Sequence, residues 1–174
     1  MAASFDDRVQ RLTTIEIPGL DYWFEAARHF LPLDDRMSQV PFSYLSPRFL
    51  EFFGRKVVAP DLPQKLDISR LLRPTSPRDL SAAISDVSLW VGTIWPIWWL
   101  ISRQPEGQSG RLLLKPQRYG TDELRPVHHC SIWIPGGSQL VSFHQDVQGW
   151  RMDAPTDDDH PLGVNSLVFT RHKD

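Results

Sequence analysis

The chain has 174 residues, 19 Lys and Arg against 21 Asp and Glu, and a net charge of −2, which is the size of one domain and an ordinary globular balance. Hydrophobic residues make up 41% and aromatic residues 11%, so the apolar mass is too large for an intrinsically disordered chain. The near-neutral balance also argues against a nucleic-acid binder, which carries a basic face.

The charge is uneven. Residues 48–125 hold 12 basic and 8 acidic side chains between two acidic ends, a pattern read as scattered solvated charge. Cys130 is the single cysteine, so neither an intrachain disulfide nor a thiolate zinc cluster is available. The start, Met1 to Arg8, is acidic where a secretory leader would be basic and then apolar. The longest uncharged stretch, Val87 to Ser102, is interrupted by Gly92 and Pro96 and is shorter than the roughly 20 residues that span a bilayer. The expected protein is therefore cytoplasmic, with no membrane and no cofactor implied.

In chain order, Ser4-Phe5-Asp6-Asp7 resembles a capping pattern and predicts a short helix to about Leu12. Thr14–Ile17 alternates and stops at Pro18-Gly19, which suggests a strand. Asp21 is placed to cap a helix whose apolar face is Trp23, Ala27 and Phe30, ended by Pro32. Ser46-Pro47 and Ser76-Pro77 each set a capping hydroxyl before a proline at the first helical position. The first helix carries Phe49, Leu50, Phe52 and Phe53 and closes at Gly54; the second carries Leu80, Ile84 and Val87. Asp67–Leu72 reads as one or two helical turns before Pro74.

From residue 87 the pattern turns to strands. Val87–Arg103 and Gly110–Lys115 suggest a hairpin around a 104–109 loop. Val127–Ile134 and Gln139–Asp146 form a clearer one around Pro135-Gly136-Gly137-Ser138. Asn165–Arg171 gives a last strand. The expected architecture is a single α+β domain, helix-rich over 1–86 and strand-rich over 87–174, with short N-terminal helices on a mostly antiparallel sheet of about five strands.

Two features carry functional content. Trp90, Trp95, Trp98 and Trp99 lie within ten residues. As a strand, this segment is apolar on both faces, so either both faces of rings are covered within the chain as core, or one is core and the other meets a partner or ligand. Trp95, Trp98, Trp99 and the hairpin residue Trp133 are the expected partner-binding residues.

The second feature is a histidine pair. Around the 135–138 turn, His129 falls opposite His144 on the more polar face, with Asp146 two residues on, and Cys130, Ile132, Val141 and Phe143 make the core face. Two imidazoles and a carboxylate form a ligand set for iron or zinc. His144-Gln145-Asp146 resembles the His-x-Asp element of 2-oxoglutarate-dependent oxygenases. The resemblance covers three residues and ends there. That family places its second histidine well downstream and follows it with an arginine, whereas only His160 and His172 follow here, both close to the C-terminus. No Gly-x-Ser-x-Gly elbow occurs, and Asp157-Asp158-Asp159 lacks calcium-loop spacing.

The function expected from these features is a non-enzymatic protein-binding module: an immunity or inhibitor protein, or an adaptor, that occludes a partner protein such as a toxin or effector. The alternative is a metal-dependent enzyme or ligand-binding protein using His129, His144 and Asp146.

Overall fold

A computed structural model describes residues 7–31, 40–103, 117–119, 122–124, 127–146, 148–164 and 166–173. Its main sheet is built from β1 (Val9–Ile17), β3 (Phe42–Leu45), β5 (Gln64–Leu71), β8 (His128–Ile134), β9 (Gly137–Gln145), β10 (Trp150–Asp153) and β11 (Leu167–Arg171). Two short pairs complete the strands: β2 (Phe24–Glu25) with β4 (Val57–Val58), and β6 (Gln117–Tyr119) with β7 (Asp122–Leu124). The helices are α1 (Ala26–Phe30), α2 (Pro47–Phe53), α3 (Pro77–Ala83) and α4 (Trp95–Ser102), with one 3₁₀ turn at Val87–Leu89.

The main sheet runs β1-β5-β11-β8-β9-β10-β3. β11–β8 and β10–β3 are parallel and the other pairs antiparallel. The α+β class therefore holds, but the sheet is mixed and has seven strands rather than about five. Its strands come from both halves of the chain, because β1, β3 and β5 lie before residue 86, and α4 lies after it.

Several local expectations change. The helix expected from Asp21 begins only at Ala26, after the short strand Phe24–Glu25, and Trp23 lies outside it, exposed. Val9–Ile17 is one strand, since its register to β5 runs from Val9↔Leu71 to Ile17↔Gln64 with a bulge between Arg11 and Thr13; this replaces a helix ending at Leu12. Asp67–Leu71 belongs to β5, where Leu66 and Ile68 face one layer and Leu71 the other, so ladder pairing on both sides overrides a weak helical pattern. The tryptophan segment is a 3₁₀ turn followed by a helix, not a strand. An apolar run without polar punctuation fits either element, and here Pro96 sits in the first turn of α4, where its missing N–H costs nothing. The expected strand at 110–115, its 104–109 loop and the cap at Ser4–Asp6 lie outside the described residues.

Both serine caps form. Ser46 Oγ accepts the Phe49 N–H at 3.1 Å, and Ser76 Oγ accepts the Asp79 N–H at 3.0 Å. One face of the sheet, with Leu66, Ile68, Cys130, Ile132, Val141, Phe143 and Phe169, packs against α1, α2 and α4. The other buries Leu71, Leu140 and Val168 under Leu80 of α3 and its C-cap residue Ile84, with Leu89 and Trp90 beside them. Cover on both faces is what brings the expected polar face of the β8–β9 hairpin inside.

Candidate functional site

Three of the four tryptophans expected at a partner surface are in the core. Trp95, Trp98 and Trp99 belong to an α4 that is buried from Trp95 to Ile101, as befits a helix apolar all round. The Trp98 ring lies 4.6 Å from His29, 5.5 Å from Phe30 and 6.3 Å from Phe24 and from Phe42. The Trp95 Nε1–H points to the Pro18 carbonyl at 3.4 Å. Trp133, at the far end of β8, is different: it is 53% exposed. It borders a groove of about 280 Å³ whose apolar wall is Phe53, Val57, Val58, Ile94 and Ile132, with Lys56 and Asp61 also in the lining.

The histidines are placed by the hairpin. Gly136, at φ +91°, follows Pro135 in a two-residue loop, the Pro-Gly order and positive φ that a type II turn favours. Gly137 is already in β9 opposite Ile134, so the ladder pairs His129 with Ser142 instead of His144. The expected register was two residues off because only Gly136, and not Gly137, needs a positive φ. A shift of two keeps every side chain on its face, so His129, Ser142 and His144 still share one side.

His129 is 1% exposed, and its Nδ1 lies 2.7 Å from Ser142 Oγ. Its Nε2 is buried without a hydrogen-bond partner among the described residues. Burial, together with the neighbouring imidazoles of His128 and His144, pushes the His129 pKa down to about 3, so the ring is neutral. His128 faces the opposite layer, stacked on Phe143 at 5.0 Å, and its Nδ1–H donates to the Phe143 carbonyl at 3.1 Å. Burial holds it down to about 3 as well. Half-buried His144 is also lowered, chiefly by burial and then by the Arg151 guanidinium.

Asp146 does not join the imidazoles. Its carboxylate accepts the Gln148 and Gly149 N–H groups at 2.8 and 3.0 Å and the Ser43 hydroxyl at 2.9 Å, and Arg151 stands 3.5 Å away. It closes the β9–β10 turn. Among the described residues no three His, Cys, Asp or Glu side chains come together in a way that could hold a metal ion. The His129, His144 and Asp146 ligand set is therefore not assembled. Buried Cys130 has its thiol pKa raised by desolvation, which leaves it a protonated, inert side chain.

His129, Ser142 and His144 do share a cleft of about 380 Å³. Sequence reasoning missed its other polar residues, among them Tyr44, Arg151, Asp153 and His160. The Arg151 guanidinium sits 4.7 Å over the Tyr44 ring, a contact made through the parallel β10–β3 pairing of residues 107 positions apart. No short-range pattern signals such a contact. Neutral imidazoles of depressed basicity make this wall a poor general base and a good hydrogen-bonding surface.

Compared with known proteins, the chain matches no family model, no curated protein and no solved structure.

Proposed function

We propose that the chain is a non-enzymatic protein-binding module that docks a partner protein on the surface around Trp133. The observation that carries this reading is the contrast among the tryptophans: α4 takes three indoles into the core, while Trp133 stays 53% exposed on the β8–β9 hairpin. Beside it, Val57 is 59% exposed at the groove. A rigid ring next to an apolar groove is the usual form of an interface anchor, because it buries a large area at low conformational cost. Lys56 and Asp61 supply one charge of each sign to orient the partner. The partner would insert an apolar side chain between Trp133 and Val57, and binding would act by occlusion, as in an inhibitor, an immunity protein or an adaptor. No membrane role is needed: among the described residues no helix is long and apolar enough to cross a bilayer.

The test is affinity capture by the wild-type chain and by Trp133→Ala, both checked for folding by thermal melting. A partner that binds the wild type and loses at least tenfold in affinity to the variant, about 1.4 kcal/mol, supports the reading. Equal capture by both forms contradicts it.

A further inference from the structure

We propose that the cleft between the sheet face bearing His129 and His144 and the 155–163 loop binds a neutral polyhydroxylated small molecule of the size of one sugar ring. This cleft shares no lining residue with the Trp133 groove, so the inference stands apart from the protein-docking reading.

Hydrogen-bonding chemistry comes first. The buried Nε2 of His129 has no hydrogen-bond partner among the described residues, and a buried nitrogen left unmet is unfavourable. Its Nδ1 contact with Ser142 leaves both tautomers open, so Nε2 is a donor in one and an acceptor in the other. A hydroxyl group meets either case, because it both donates and accepts; a carboxylate or an ammonium group meets only one. Ser142, Tyr44 and the neutral His144 ring have the same dual character and line the same space.

Charge then narrows the class. Among the described residues, Arg151 is the single Lys or Arg lining the cleft, and it already faces Asp146 and covers Tyr44. Asp153 and Asp159 also line the cleft and have their carboxylates turned to the Ala154 and Thr156 N–H groups of their own loop. An anion would meet two carboxylates, and a cation would meet a guanidinium. A neutral polyol meets neither repulsion: its hydroxyls can hydrogen-bond to the imidazoles, hydroxyls and charged groups, while its C–H faces lie on Val127, Pro155, Pro161 and Leu162. Size agrees, since about 380 Å³ is near the lower end of the roughly 300–1,000 Å³ of small-molecule sites.

The experiment follows histidine ring resonances of the full chain by NMR during titration with glucose, galactose, mannose, ribose and myo-inositol, each taken to tens of millimolar. Inorganic phosphate and zinc chloride are titrated as separate arms. The expected result is saturable movement of the His129 and His144 signals with at least one of the five, weakened tenfold or more in His144→Ala and in Ser142→Ala. If His144→Ala melts early, His144→Gln, which keeps a polar side chain at this half-buried position, replaces it. No saturable shift with any of the five overturns the proposal. So does an unchanged affinity in the variants, or saturation by phosphate or zinc alone.

Discussion

Nδ1 of His129 lies 2.7 Å from Oγ of Ser142, its direct partner across the β8–β9 ladder, so a residue of the next strand fixes the orientation of a fully buried imidazole. His128, one residue earlier, enters the opposite layer against Phe143 and Phe169. Adjacent strand residues point to opposite faces, and because both faces are covered, two consecutive histidines are both buried and neutral.

This arrangement makes the fold acid-sensitive. Burial lowers both pKa values from 6.5 to about 3 in the folded chain, whereas the unfolded chain binds protons near 6.5. Stability is therefore at its plateau above about pH 6.5 and is lost progressively as the pH falls from there toward 3. Urea denaturation between pH 7 and pH 4 should show that decline, and His128→Phe should make it shallower. A stability unchanged over this range would contradict the buried, neutral assignment.

Gly149 has φ +145°, and a Cβ added there would lie 2.5 Å from the Pro41 carbonyl oxygen. The clash is with backbone, which cannot swing aside. Gly149→Ala should lose about 1–3 kcal/mol, measured as a lower denaturation midpoint. Gly136→Ala has open space at its Cβ and meets only the φ +91° strain, so it should lose less.

The two classes of tryptophan should separate cleanly in stability. Trp98→Ala removes a ring packed on Phe24, His29, Phe30 and Phe42 and should cost about 3–5 kcal/mol. Trp133→Ala should cost about 1 kcal/mol or less, the span of strand propensity at a half-exposed site. Calorimetric melting of both variants measures the difference; equal losses would remove the distinction between core and surface rings.

Asp67 ties the C-terminal strand to the sheet edge. Its carboxylate accepts the Thr14 hydroxyl at 2.7 Å, meets His172 Nδ1 at 3.0 Å and pairs with Arg11 at 2.9 Å. Partial burial works against the charged form and is outweighed by these partners, so the pKa is lowered. The stabilisation is present above the ordinary value of 3.8 and is lost as the pH falls through the lower folded one. Asp67→Asn should cost about 1–2 kcal/mol at neutral pH, discounted for the exposed Arg11. That loss should shrink on acidification below pH 4; a loss that stays constant there would show that charge is not its source.

Local chemistry was legible wherever one residue type has one use. Ser46-Pro47 and Ser76-Pro77 mark helix starts because a hydroxyl cap and a fixed φ act within one turn. The faces of the β8–β9 hairpin were legible because side-chain alternation survives a two-residue slip. Trp95–Ser102 was not, since periodicity cannot separate a helix from a strand when every position is apolar. Leu140 and Val168 explain why the hairpin's polar face is inside: they lie under α3, a long-range contact that no local pattern announces. The cleft was half legible. His129 and His144 were found, while Tyr44 and Arg151 meet only through the pairing of β10 with the distant β3.

The proposal that a partner docks around Trp133 is tested most directly by site-specific photocrosslinking in the cells that make the protein. A benzophenone amino acid at position 133 is compared with the same group at Val87, which is 65% exposed and does not line the groove. A discrete heteromeric adduct from position 133, absent from position 87 and lost when Val57→Asp is added, is the predicted result. Identical adducts from both positions, or none from position 133, would contradict it.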